Sequence, residues 1–264
     1  MLAAILENMP SDQLVIHDDV TLRDLAPGEV QIKVAHSGVC HSDLSVMNGT
    51  IPQQVPCVLG HEGAGVVTDV GDGVTHVAPG DHVIIAFSPP CGTCPFCTGR
   101  NQPNLCMTGM IAMATSQQFR RGDTVVGSMS GCGTFAEETI VPGFAAIKID
   151  QDVPLDVAAL IGCGVTTGVG AAMNTAKVSP GSSVCIIGAG GVGVAAIQGA
   201  RIAGAAEIVA IDLHEGKLER AKAFGATHGA VPEDVPAVMA EVTGGEGFDY
   251  TLECIGMPAT MRQA

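Results

Sequence analysis

The sequence predicts an α/β protein in two domains: a mainly-β domain over residues 1–164, then the first part of a doubly wound parallel sheet over 165–264. Three observations carry this. Near residue 165 the pattern changes from short strands between tight turns to strands alternating with helices, which implies a parallel sheet with right-handed crossovers. In the second half, Gly188-Ala-Gly190-Gly-Val-Gly193 follows a buried strand and opens a helix. In the first half, four cysteines fall inside sixteen residues.

The first domain reads as strands punctuated by turns. After a Pro27-Gly28 turn, Val30, Ile32 and Val34 alternate with Gln31, Lys33 and Ala35, the period of a strand with one buried face. Val66-Val67, a Gly71-Asp72-Gly73 turn, a Pro79-Gly80-Asp81 turn and Val83-Ile84-Ile85 repeat the pattern.

Cys91, Cys94, Cys97 and Cys106 then form a lobe spanning about 88–110. Thiolates two residues apart can turn back onto one tetrahedral ion, and four of them fill its coordination sphere. The lobe reads as a structural zinc site. Two disulfides are the competing reading, but they need an oxidising compartment. Met1–Pro10 has neither a basic n-region nor a small-residue cleavage site. The six other cysteines lie in apolar or glycine-rich context, which suits reduced thiols. An iron–sulfur cluster fits a single four-Cys run on a Gly/Pro-rich loop less well than zinc.

In the second domain, Val184–Ile187 is a strand and Gly191–Ala203 a helix. Ile208–Ile211 is a strand, Glu215–Phe224 a helix stopped by Gly225, Pro232–Val242 a helix, and Phe248–Cys254 a further strand. The glycines between the first strand and helix have the offsets of a Rossmann dinucleotide fingerprint: Gly188 for the tight turn, Gly190 for close approach to a pyrophosphate, Gly193 for helix–sheet packing. The phosphates would sit on the helix N-terminus, where free N–H groups favour negative charge. Asp212 ends the next strand, nineteen residues after Gly193, placed to accept hydrogen bonds from the adenosine ribose and to repel a 2′-phosphate. NAD is therefore expected over NADP.

Composition narrows the partners. Net charge is −15, with no basic cluster, which argues against nucleic acid and anionic membrane surfaces. The longest apolar run, Val184–Ile197, is glycine-rich and shorter than the ~20 residues of a membrane span. A cytoplasmic protein is expected.

A four-Cys lobe ahead of a Rossmann unit, with Cys40-His41-Ser42-Asp43, Gly60-His61-Glu62 and Gly162-Cys163-Gly164, resembles the zinc-containing alcohol dehydrogenases of the medium-chain dehydrogenase/reductase family. The resemblance implies a GroES-like first domain and a second, catalytic zinc held by Cys40, His61 and Cys163, with one tetrahedral position left open. Glu62 matches a carboxylate close to that zinc, and Asp43 the carboxylate that holds His61 by its second ring nitrogen. Ser42 matches the hydroxyl that takes up the alcohol proton. Many relatives continue that relay to a His three residues on; Ser45 stands there, so the outer route uses water or another group. His41 matches a pyrophosphate contact that is often Arg. Thr167 and Val192 match residues packed on the nicotinamide. Lys217 matches an adenosine-ribose contact, although a solvated helix face accounts for it equally well. Ile51 and Phe87 match substrate-pocket positions, both apolar. Relatives acting on the glutathione adduct of formaldehyde usually carry Asp at the position of Ile51 and Arg near that of Met110, so the expected substrate is an apolar small-molecule alcohol or aldehyde.

The implied reaction is reversible oxidation of that alcohol to an aldehyde or ketone, with hydride passing to NAD. Two alternatives stay open: a relative with a tightly held nicotinamide recycled by an external acceptor, and an inactive zinc-binding fragment. The Cys97–Cys106 loop is one residue longer than is common in the family. Family members are also longer overall. In a sheet ordered 3-2-1-4-5-6 the strand at 248–254 is the fourth, so the sequence reads as C-terminally truncated, with an unpaired edge. The full-length form is expected to be a homodimer or homotetramer.

Overall fold

A computed structural model describes all 264 residues. The chain divides into two compact units, Met1–Cys163 and Gly164–Ala264.

Two sheets build the first unit. One has five strands in the spatial order Glu138–Pro142, Glu29–Gly38, Glu62–Val70, His82–Ile85 and Ala146–Lys148, antiparallel throughout. The alternation at 30–34 explains its sidedness: Val30 and Ile32 are buried with Val67, Val83, Ile85 and Val141. Gly28, Gly73 and Gly80 sit at positive φ in the three expected turns. The second sheet has six strands, several only three residues long, around Ile5, Val20, Val58, Phe119 and Val126.

Strand register in the first sheet positions the chemistry. Strand 29–38 pairs with 62–70 as far as Gly38↔Glu62, and 62–70 pairs with 82–85 through Gly63↔Ile85. The chain just beyond these pairs, Val39-Cys40, Gly60-His61 and Ala86-Phe87, therefore emerges at one end of one sheet. Helix Leu155–Leu160 packs on the two central strands and leads into a π-helical turn, Ile161–Val165, that carries Cys163. Such turns shift side-chain register within a helix. Helical residues continue to Thr175. This 21-residue stretch is long and apolar enough to span a membrane by composition, unlike the shorter 184–197 run. Ala158, Ala159, Cys163 and Ala172 along it are buried, while Val157, Leu160 and Met173 are exposed.

The second unit holds a four-stranded parallel sheet ordered His228–Ala230, Glu207–Ile211, Ser183–Ile187, Tyr250–Glu253, which is third, second, first, fourth along the chain. Its strands are apolar at successive residues because both faces are covered. Val184 and Ile186 join a core with Ala196, Ile197, Ala200 and Leu218, while Cys185, Ile187, Val209 and Ile211 join the opposite one with Val235, Val238 and Val242. The fingerprint helix is Gly191–Ile202 and the next is Glu215–Ala223. The third expected helix begins with a 3₁₀ turn, Pro232–Asp234, and is α-helical over Val235–Thr243, with Pro236 in its first turn where a missing N–H costs nothing.

Candidate metal centre and dinucleotide site

Cys40, His61, Glu62 and Cys163 converge, their ligand atoms all within 4.8 Å of one another. Cys40 and His61 meet because they lie just past the ends of paired strands, and Phe87, past the end of the third, rests edge-on against the His61 ring at 5.6 Å between centroids. Gly38 makes room: a side chain there would run into the Glu62 carboxylate and come within 3.0 Å of Leu160.

Asp43 ties the cluster together. It is 3% exposed, in the first turn of helix His41–Met47. One carboxylate oxygen accepts the Cys40 N–H at 2.9 Å, closing a capping box, and the other accepts the Gly60 N–H at 3.0 Å. The same oxygen stands 3.5 Å from His61 Nδ1, which is buried and has no conventional hydrogen bond. One side chain thus fixes the backbone beside two of the four converging residues. The Cys163 thiol and then the His61 ring hold the Cys40 thiol down to about 3. Burial disfavours a charged His61 ring, but Asp43 and Cys40 outweigh it and push its pKa up to about 9. The surroundings thus favour the ionised sulfur, which is the zinc-binding species.

The donor set fits zinc: two thiols, an imidazole and a carboxylate, buried and convergent, with a carboxylate facing the second ring nitrogen. Ser42 lies two residues after Cys40, its Oγ 3.6 Å from the Cys40 sulfur. His41 is exposed at the start of the same helix. Ile51 lies in the loop after that helix, 40% exposed, its N–H donating to the Ser45 carbonyl at 2.9 Å.

The second cysteine set also converges. Cys94 Sγ is 3.6 Å from that of Cys97 and 3.7 Å from that of Cys106. Four thiolates about 2.3 Å from a zinc ion are spaced about 3.8 Å apart, so the set matches a closed tetrahedron. All ten cysteines are unbridged. Cys106 caps helix Met107–Ala114, its sulfur accepting N–H groups of Cys91 and Gly109, each at 3.2 Å, which lowers its pKa. Hydrogen bonds from Thr93 hold Cys91 down to about 5, whereas burial pushes Cys97 up to about 11.

In the second unit, Gly188 turns at φ +98° and Gly190 caps the helix opened by Gly191. A side chain at 193 would collide with the Gly188 carbonyl oxygen, so the turn closes only on glycine. Asp212, buried at the end of its strand, accepts the Ala189 N–H at 3.0 Å and the His214 N–H at 3.1 Å, with Lys217 Nζ 3.4 Å away. Burial raises its pKa, but these partners leave it below the usual value. The carboxylate therefore braces the Gly-rich turn as well as facing the cleft. Gly188, Gly190, Asp212 and Lys217 line one cavity of about 550 Å³. Thr167 and Val192 stand on two helices that pack together, Thr166–Gly170 and Gly191–Ile202.

Sequence reasoning missed Gly38 and Glu253, and gave Gly60, part of the Gly60-His61-Glu62 motif, no role of its own. Glu253 accepts N–H groups of Ile255 and Gly256 and the Thr260 hydroxyl, shaping the loop that lines the same cavity. The acid at the end of the fourth strand, four residues after Asp249, carried no motif that would have marked it.

A thiolate–imidazole centre with a separate closed thiolate lobe and a dinucleotide turn defines a zinc-dependent oxidoreductase class. Residues 26–151 match the alcohol dehydrogenase GroES-like domain, and 191–264 the zinc-binding dehydrogenase domain. The chain is 47% identical to an S-(hydroxymethyl)glutathione dehydrogenase of Photobacterium damsela subsp. piscicida, over 91% of its own length and 69% of that protein's. It superposes on an alcohol dehydrogenase zinc-binding domain protein from Burkholderia ambifaria with a TM-score of 0.90 at 35% identity, covering 99% of this chain and 72% of that one. Benzyl alcohol dehydrogenase from Acinetobacter calcoaceticus gives 0.86 at 34%, with the same coverage. The chain belongs to the zinc-containing alcohol dehydrogenases of the medium-chain dehydrogenase/reductase family. Zinc and NAD are the cofactors that membership carries, and the residues present fit both.

Proposed function

We propose that this chain interconverts an alcohol and its aldehyde or ketone with NAD as hydride acceptor. The convergence of Cys40, His61 and Cys163 beside Glu62 is the observation that carries the reading, since two thiols and an imidazole are a catalytic rather than a closed zinc donor set. Bound there, zinc supplies Lewis acidity that draws a hydroxyl pKa down toward neutrality, while NAD takes the hydride.

The chain's own residues do the positioning. Asp43 fixes Cys40 and Gly60 and orients the His61 ring. Ser42, beside Cys40, takes up the substrate's proton. Glu62 tunes the charge of the cluster, and Phe87 walls it on the His61 side. Gly188, Gly190 and Gly193 admit the pyrophosphate to the helix N-terminus; His41 is the proposed further pyrophosphate contact; Thr167 and Val192 pack on the nicotinamide; Asp212 and Lys217 hold the adenosine ribose. Cys91, Cys94, Cys97 and Cys106 hold a second, structural zinc. Ten unbridged cysteines support a cytoplasmic setting, and a homodimer or homotetramer is the proposed assembly.

Replacing Cys40 with serine tests the reading. Turnover should fall below detection, while one of two zinc ions per chain, the one in the four-cysteine lobe, stays bound. Retained turnover rejects the assignment.

A further inference from the structure

The parallel sheet is ordered third, second, first, fourth along the chain, so the strand order reverses between Ser183–Ile187 and Tyr250–Glu253. In such a sheet a ligand binds in the crevice beyond the carboxyl ends of those two strands. The Gly188 turn is one lip of the crevice. The other is the loop at 254–257, which leaves the fourth strand at Glu253, in register with Ile187 at the end of the first. The Cys254 N–H donates to the Ile187 carbonyl at 2.8 Å. The lips touch: a side chain added at Gly188 would come within 2.6 Å of Ile255 and 3.3 Å of the Cys254 carbonyl oxygen. Glu253 holds the second lip. One of its oxygens accepts the N–H groups of Ile255 and Gly256, each at 2.9 Å, and the Thr260 hydroxyl at 2.8 Å; the other accepts the Gly256 N–H at 3.1 Å. Burial raises its pKa, but the Thr260 hydroxyl and the backbone N–H groups outweigh it and leave it below the usual value. Packing adds little, since Ile255 and Met257 are exposed and Gly256 has no atom within 4 Å of where a side chain would start. Hydrogen bonds to a charged carboxylate therefore define the loop. Cys254, Ile255, Met257 and Thr260 line the cavity of about 550 Å³ shared with Gly188, Asp212 and Lys217; Glu253 itself does not.

We propose that Glu253 is a positioning residue for the dinucleotide: its carboxylate sets the shape of loop 254–257 before the cofactor arrives. The proposal rests on the reading of this cavity as the NAD site and adds a residue that acts on NAD through others. A loop already in its bound shape loses little freedom on binding, and that saving appears as affinity. Without the carboxylate, the loop N–H groups turn to water and the cofactor must order the loop itself. The effect belongs to the ADP-ribose half of the cofactor, because Asp212 and Lys217 line the same cavity.

NADH and ADP-ribose are titrated by calorimetry into the full, zinc-loaded chain, as the parent, Glu253→Gln and Glu253→Ala. Glutamine keeps one acceptor oxygen but turns a donor toward the Gly256 N–H, whereas alanine removes every one of these bonds. Kd for both ligands should rise about threefold in the glutamine variant and about tenfold or more in the alanine variant. Both zinc ions should stay bound. Calorimetry returns Kd and the fraction of competent sites separately, and a merely structural role would lower that fraction while the surviving sites kept the parental Kd. In turnover with benzyl alcohol, the loss should fall on KM for NAD and not on kcat. Parental Kd in both variants, or a lower kcat at unchanged KM for NAD, overturns the proposal and leaves the NAD reading standing. If the alanine variant does not fold, the glutamine variant, matched in size, decides by the same Kd. A parent chain that carries two zinc ions and binds neither ligand refutes the NAD reading, and the proposal with it.

Discussion

Asp43 shows how much of the centre depends on a side chain that touches no substrate. Its two oxygens take backbone N–H groups from Cys40 and Gly60, and one of them also faces His61. Asparagine is nearly the same shape but offers one acceptor and one donor, so a donor would be turned onto a backbone N–H and the charge facing His61 would vanish. Asp43→Asn is expected to weaken zinc at the Cys40 cluster by roughly 10–100-fold, the range for losing such a supporting partner. Zinc in the four-cysteine lobe should stay unaffected. Competition with a chelator, resolved by native mass spectrometry, checks this; equal affinity at both sites in the variant and the parent would refute it. The four-cysteine lobe was legible because cysteines at such spacings have few other uses, whereas Cys40, His61 and Cys163, far apart in the sequence, were marked by the resemblance. The roles of Gly38 and Gly60 were not legible, because they depend on which strand ends lie side by side, and register leaves no mark on a single residue.

At the scale of elements, the parallel sheet was legible because strands buried on both faces read as unbroken apolar runs, and because helices of nine or more residues show their period. The three-residue strands at 15–17, 20–22 and 119–121 were too short to show any period. The turn from strand 183–187 into helix 191–202 is the element most exposed to a small change. An alanine at 193 would force the helix away from the Gly188 carbonyl, a backbone group of the same tight turn that no side-chain rotation can move aside. Gly193→Ala is expected to cost about 1–3 kcal/mol of stability by overpacking and to reduce NADH binding at least tenfold, with both zinc ions retained. Denaturant unfolding and fluorescence titration with NADH separate these effects. Normal NADH affinity would mean the turn is not where the pyrophosphate sits.

Across the whole molecule, zinc has two different tasks, and they should fail separately. The lobe around 91–106 has little apolar core of its own: Leu105, Met107, Met110 and Ile111 around its end are exposed. Its order must come from the metal and from Cys106, which caps helix 107–114 and gathers the N–H groups of Cys91 and Gly109 on one sulfur. Metal binding in so small a lobe is folding energy. Cys106→Ala removes a ligand, a cap and two hydrogen-bond acceptor contacts together. One zinc per chain should be lost, and protease cleavage within residues 88–110 should speed up by about tenfold or more as the lobe opens locally. NADH binding by the second unit, whose fingerprint turn shares no residue with the lobe, should be unchanged. Peptide mapping of early cleavage products, read beside zinc content, decides the matter. Cleavage at the parental rate, with one zinc gone, would show that packing rather than metal holds the lobe.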